Sequence, residues 1–149
     1  MSVNLSLMAK LGHLFKSIIG TVPAAPIAGT RNGTAINRRQ SGALAMGCTL
    51  FASSGAETGA PSARTLDTKI QDSADGSTGW ADYIPPDQTT VAANAQIIAA
   101  SSSAEVDVNL AGSKGFIRVV ETLGFTGGTS PTLGVQSTVL LYGFDRTPQ

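Results

Sequence analysis

Apolar and polar residues alternate along this chain with two different periods, and the change falls near residue 40. At 100° per residue, Leu7, Met8, Leu11, Leu14, Phe15, Ile18 and Ile19 occupy one arc of about 140°, with Lys10, His13, Lys16 and Ser17 opposite. The pattern predicts an amphipathic helix, with Asn4 or Ser6 placed to cap it, Gly20 to end it, and Pro23 and Pro26 to stop its continuing. Gly12 costs such a helix about 1 kcal/mol relative to Ala, so it needs a surface to pack on. Thr21 to Gln40, with Pro23, Pro26, Gly29, Gly33 and few large apolar side chains, is expected to be an extended arm that can reach across a subunit boundary.

Beyond the arm the period falls to two. Ser41 to Phe51 reads as a strand, followed by a turn region of Gly, Ala, Ser and Pro to Ala63. Leu66, Thr68, Ile70 and Asp72 then alternate with Asp67, Lys69 and Gln71, and the run ends at Asp75-Gly76-Ser77-Thr78-Gly79 before Trp80 to Ile84. That predicts a β-hairpin: Asp-Gly supplies the positive φ of its turn, and Trp80 is expected to fold back over the incoming strand's apolar face. Thr89 to Ala100, Glu105 to Leu110, Phe116 to Glu121 and Val135 to Tyr142 are the remaining candidate strands. Short strands at this spacing indicate an all-β chain, an antiparallel β-sandwich or jelly roll, preceded by the helix and arm. The expected organisation is helix and arm over residues 1–40 and sandwich over 41–149.

A chain of 149 residues suits one domain of this kind and can bury a core without disulfides or metal. Cys48 is the single cysteine, so no disulfide forms within the chain. Charged residues make up only 13%, while Gly, Ala, Ser and Thr dominate, which suits a sheet protein whose surface is partly covered by other subunits. The net charge of zero hides an asymmetry. Lys10, Lys16, Arg31, Arg38 and Arg39 precede the first acid, Glu57, and the remainder carries an excess of acids. A basic arm on an acidic body is suited to docking on a neighbour's body or an acidic partner; the basic residues are too sparse for a nucleic-acid module.

Catalytic constellations are weakly supported. His13 is the only histidine and lies on the polar side of the predicted helix, and Cys48 reads as a small buried filler in a strand. Asp72, Asp75 and Asp82 lack calcium-loop spacing, and Gly124 to Thr129 lacks the Gly-Lys-Ser/Thr ending of a phosphate loop. Lys10, His13 and Lys16 interrupt the apolar run from Leu5 to Ile19, which is shorter than the roughly 20 residues of a membrane span and unlike a secretory signal. The reading is therefore a non-enzymatic protein with no cofactor, metal, nucleic acid, membrane or small-molecule substrate. Its amphipathic helix is the main functional element. That helix suits a groove on a partner or neighbouring subunit, with packing on its own sheet or on a membrane surface as alternatives.

Thr68 to Asp82, Phe116-Ile-Arg-Val-Val120, Phe125-Thr-Gly-Gly-Thr-Ser-Pro131 and the last strand, Gly134 to Gly143, follow one another in an order that resembles small β-sandwich structural proteins from the head gene clusters of tailed bacteriophages. The resemblance spans about half the chain, Arg64 to Tyr142. It implies a capsid decoration or cement protein, a homotrimer that clamps neighbouring copies of the major capsid protein on the capsid surface, assembled in the host cytoplasm. On that reading Leu7, Leu11, Leu14, Phe15 and Ile18 form the docking face, and Arg38 and Arg39 pair with acids such as Asp87 or Glu105 on a partner. A head-tail connector or tail component and a carbohydrate-binding sandwich are the alternatives; the latter would be expected to carry more exposed aromatics than Trp80, Tyr83 and Tyr142.

Overall fold

Along Phe116–Thr126 and Thr132–Phe144 every second side chain is buried: Ile117, Val119, Glu121 and Leu123 on one, Leu133, Val135, Ser137, Val139 and Leu141 on the other. Successive side chains of a strand point to opposite faces, so these two segments each turn one face to a core. The computed structural model describes residues 14–89 and 95–145. Its strands are β1 (Lys16–Ala24), β2 (Gly29–Asn32), β3 (Ile36–Asn37), β4 (Arg39–Gln40), β5 (Ala43–Thr58), β6 (Ala63–Ser73), β7 (Ala81–Asp82), β8 (Ser103–Asn109), β9 (Phe116–Thr126) and β10 (Thr132–Phe144).

All pairings are antiparallel and fall into two sheets. In the first sheet β10 lies between β1 and β5, and the far edge of β5 carries β4 at Ala43–Leu44 and β8 at Gly47–Ser53. In the second, β9 lies between β6 and the successive short strands β2 and β3, and β6 carries β7 and a bridge from Leu66 to Ile97. Cys48, Leu50, Val108, Val139 and Leu141 of the first sheet pack against Ile36, Ile70, Ile117 and Val119 of the second. A second cluster joins Ala52, Leu133 and Val135 to Leu66 and Leu123, with Ala95 and Ile97 closing that end. The chain is a β-sandwich with one core between its sheets.

Two arches carry the chain from sheet to sheet at the same end: 59–62 between β5 and β6, and 127–131 between β9 and β10. They lie against each other, with the Thr129 amide donating to Gly59 O at 2.9 Å. A side chain at Gly59, where φ is +73°, would place its Cβ 2.5 Å from Thr129 O, so only glycine fits. Arg64 grips the Glu57 carboxylate with two donors across the first arch.

The predicted strands from Leu66 onward are present, except that Thr89 to Ala100 forms no strand within its described part, where Ile97 makes a single bridge. The hairpin is there too: Gln71 pairs with Asp82 and Asp72 with Ala81. Asp75 shapes its loop by accepting from the Ser77 and Thr78 amides, both at 2.8 Å. Those bonds, with the hydroxyls of Thr78 and Ser73, hold its carboxyl far below the usual carboxylate range.

The N-terminal expectation needs correction. Residues 7–13 of the predicted helix lie outside the described residues, and Lys16 to Ile19 are strand, paired in register from Lys16 with Leu141 to Ile19 with Thr138. Ile18, Ile19, Thr21 and Val22 are β-branched, and the open edge of β10 offers each backbone group in their segment a partner that an isolated helix would have to supply alone. The expected extended arm is largely strand: β1 to β4 cover much of residues 16–40 and pair with β10, β9 and β5. Ser41 and Gly42, with φ of +47° and +83°, form a two-residue turn between β4 and β5 rather than the start of a strand.

Removal of residues 1–40 is expected to abolish the cooperative thermal transition, because it strips β1 from β10 and β2 and β3 from β9. Removal of residues 1–13 alone leaves every described pairing and is expected to keep the transition, as far-ultraviolet circular dichroism on heating would record.

Candidate docking surface

The structure separates the residues expected to act together. Leu7 and Leu11 lie outside the described residues. Leu14 and Phe15 are exposed just before β1, while Ile18 is half-buried against the main core. Arg38 and Arg39, expected side by side toward a partner, point opposite ways because neighbours on an extended chain do so. Arg39 is exposed and donates to Gly42 O at 2.8 Å. Arg38 is only 2% exposed. Its Nε and Nη2 donate to Ala45 O at 3.2 and 2.9 Å, and its Nη1 donates to the carbonyl and hydroxyl of Ser113. Burial pulls its guanidinium below the ordinary arginine value, with the nearby Tyr83 and Asp72 opposing. Arg38 therefore ties the loop before β9 to the start of β5, and its side chain is held inside the sandwich rather than presented to a partner's acid.

A second buried charge lies at the other edge. Glu121 occupies an inward position of β9 and is 1% exposed. Thr21 Oγ1 of β1 donates to its Oε1 at 2.5 Å, Ser137 Oγ of β10 donates to the same oxygen, and Arg31 Nε of β2 donates to Oε2 at 2.6 Å. Arg31 also reaches Val22 O at 2.8 Å and Val135 O at 3.0 Å. One carboxylate thus ties two strands of each sheet together. Beside it is a cavity of about 220 Å³, roofed by Pro26 to Thr30 and floored by Leu66, Leu123 and Val135. It is smaller than the roughly 300 Å³ at which small-molecule sites begin.

His13 lies outside the described residues, and the other chemistry-bearing side chains singled out in the sequence are engaged within the fold. Cys48 is fully buried, and burial pushes its thiol up to about 12. Asp72 pairs with Lys114 at 3.0 Å, and Asp82 accepts from Lys69 at 2.7 Å and Gln71 at 2.8 Å. Tyr83 is buried and donates to Asn109 O at 2.8 Å. Trp80 is half-buried on the outside rather than over the core, with the Arg118 guanidinium 4.5 Å from its ring centre. Among the described residues no group of His, Cys, Asp and Glu is placed to hold a metal, and no helix is long and apolar enough to cross a membrane.

Both outer faces carry matched polar groups, but to different extents; on the first sheet Asp107 accepts from Thr49 Oγ1 at 2.6 Å and from the Tyr142 hydroxyl at 3.5 Å. On the second sheet the outward side chains engage one another: Lys69 and Gln71 with Asp82, Arg118 with Gln71 and Trp80, and Gln96 with Asp67. The first sheet's outer face has two rungs across four strands, Ser17–Leu140–Thr49–Asp107 and Ile19–Thr138–Phe51–Glu105. Ile19 is 59% and Phe51 37% exposed, and Leu140 lies partly exposed between them. Asp107 and Glu105 edge this stripe, and the outward positions of its four strands hold no Lys or Arg.

Ile19 and Glu105 were singled out from the sequence, but not as parts of one face, since the rungs join strands up to about 120 positions apart. The inward Glu121 had a signal: it falls in step with Ile117, Val119 and Leu123. A comparison of the chain with protein families gives no match, and neither does one with curated proteins.

Two predictions test the buried groups. Arg31→Ala leaves the Glu121 carboxylate without its cation and is expected to cost about 3–5 kcal/mol in urea unfolding, whereas Arg39→Ala should cost under about 0.5 kcal/mol. Iodoacetamide at neutral pH is expected to leave Cys48 unmodified in the native protein and to label it fully in denaturant, with mass spectrometry as the readout.

Proposed function

We propose that this chain is a non-enzymatic virion structural protein, a decoration or cement protein of a tailed-phage head that binds across neighbouring capsid subunits on the capsid surface. The contrast between the two outer faces carries the reading. One sheet pairs most of its outward polar groups with one another, while the other, where Asp107 is held by Thr49, exposes Ile19, Phe51 and part of Leu140 beside Glu105, the kind of surface that lowers its free energy by meeting another protein. The strand orders support it: β1-β10-β5 with β8, over β2 and β3 beside β9-β6-β7, is the order of a jelly roll, an architecture that capsid proteins use. The resemblance of Thr68 to Asp82 and Phe116 to Pro131 to phage head sandwiches points the same way.

The docking elements in this reading are residues 1–15, with Leu7, Leu11, Leu14 and Phe15, and the face bearing Ile19, Phe51 and Leu140. Arg39 remains available to an acidic partner, and Ile18 contributes through its exposed part. The major capsid protein is the partner, and copies of the chain associate with one another, as a trimer in the form first expected.

Mixing the purified protein with undecorated capsids and sedimenting them tests this directly. Binding at many copies per particle is the expected outcome, reduced by Phe51→Asp on the first sheet and unchanged by Lys69→Ala on the second. Binding at only a few copies per particle would move the protein to a connector or tail position, and no binding would overturn the virion role.

A further inference from the structure

We propose that copies of this chain join head to tail through the first sheet, the free edge of β8 in one copy pairing antiparallel with the free edge of β1 in the next. The inference rests on the reading above only in that copies associate, and it uses the sheet's two edges rather than its face.

The backbone of each edge has a definite direction. Opposite residues of antiparallel strands alternate between pairs that exchange hydrogen bonds and pairs that do not. The Leu110 amide donates to Met46 O and the Ser54 amide to Ser102 O, both at 2.8 Å. In the register between them Cys48 bonds with Val108 and Leu50 with Val106, which turns the N–H and C=O of Glu105 and Asp107 away from β5. The same alternation, carried across β10, bonds Lys16 with Leu141 and Ile18 with Val139, and turns the backbone groups of Ser17 and Ile19 outward. The Ser137 amide donating to Thr21 Oγ1, and Val135 O accepting from Arg31, agree with it. Among the described residues no strand pairs with either outward edge.

A free edge is a template for a further strand. A second β8 suits the β8 edge badly, because Glu105 and Asp107 would then face the same acids. β1 contains Lys16 and no acid. It also has the right direction: β1 and β8 run opposite ways in the sheet, so a neighbouring copy set alongside in the same orientation continues the antiparallel order. Within one chain the two edges lie roughly 14 Å apart and face opposite ways, so β1 comes from another copy.

Side chains select the register. Val106 and Ile18 are the partly buried apolar residues that β8 and β1 leave at the rim of the main core. Setting them opposite each other matches Asp107 with Ser17 and Glu105 with Ile19, the four residues whose backbone groups point outward. It also brings Lys16 to Val108, which lines a hollow with Asp87 and Asp107. Lys16 and Asp87 are both exposed, and neither is in an ion pair among the described residues. Backbone direction, core and charge thus agree on one alignment. Each copy has one edge of each kind, and a closed ring of copies leaves neither exposed.

The test uses the full chain, without capsids, so that its outcome is separate from that of capsid binding. Residues that exchange backbone bonds across antiparallel strands stand about 5.5 Å apart at Cα, within reach of a disulfide. Chain carrying Ser17→Cys is mixed with chain carrying Asp107→Cys and oxidised; Cys48 is buried and does not compete. The expected product has twice the chain's mass, contains the 17–107 disulfide, and forms in the mixture but not from either variant alone. Lys16→Glu on the first chain is expected to lower its yield about threefold, and Asp87→Lys on the second to restore it. No mixed product, or as much product from either variant alone, would overturn the proposal. So would a light-scattering mass of one chain for the unaltered protein at the same concentration. Capsid binding without the 17–107 link would defeat the edge pairing and leave the cement reading standing; the link without capsid binding would do the reverse.

Discussion

A carboxylate placed inside a β-sandwich has to be answered from several directions at once, and Glu121 imposes that condition on one whole edge of this molecule. Desolvating the charge costs several kcal/mol, which is recovered only when each oxygen has donors of good geometry. Here the donors come from Thr21, Arg31 and Ser137, on β1, β2 and β10. The ladder alone holds β1 and β2 less regularly than the central strands, since the nine-residue β1 has two register irregularities along β10 and β2 has only four residues. Their position is set by the carboxylate as much as by the ladder. The penalty for leaving Glu121 unpaired is what makes this edge adopt one arrangement.

That condition explains how the N-terminal third of the chain differs from its sequence pattern. Leu7 to Ile19 has a helical period, but Ile18, Ile19, Thr21 and Val22 also suit a strand, and periodicity cannot weigh an edge of β10 that lies about 120 positions away. The Pro and Gly content of residues 21–40 signals irregularity correctly, yet irregular segments can still be held by side chains, as Arg31 and Arg38 hold these. By contrast the hairpin from Leu66 was legible in detail. Its alternation of Leu66, Thr68, Ile70 and Asp72 is the buried face, and Asp75-Gly76 is its loop, because the determinants are local. Of the candidate site, the exposed Leu14 and Phe15 were legible. The stripe of Ile19, Phe51 and Leu140 was not, because it exists only once four strands stand in register.

Arg38 and Glu121 show the same principle in opposite signs. Arg38 is buried with carbonyl and hydroxyl oxygens as acceptors at one end of the sandwich, and Glu121 is buried with a cation and two hydroxyls at an edge. Each joins segments that the sheets alone would leave loosely connected. A chain with 13% charged residues thus buries three of them among its described residues, Arg38, Glu121 and Asp72. The sequence asymmetry, basic before residue 57 and acidic after it, is partly a record of these internal contacts: Arg31 answers Glu121, and Arg38 lies in the field of Asp72. Counting charges along the chain therefore overstates the basic surface available to a partner.

What remains outside is correspondingly specific. The second sheet's outer face has matched its polar groups pairwise, and a partner docking there would have to break Lys69–Asp82 and the Arg118 contacts to gain its own. The first sheet's face has fewer such contacts, chiefly Thr49 and Tyr142 on Asp107 at its edge. Its apolar side chains lose only water on docking, and exposed Glu105 still has its charge to offer. The outward face of a sheet edged by β1 is thus where association costs least. Because Glu121 fixes β1, which contributes Ile19, the buried charge sets the shape of the surface that faces outward.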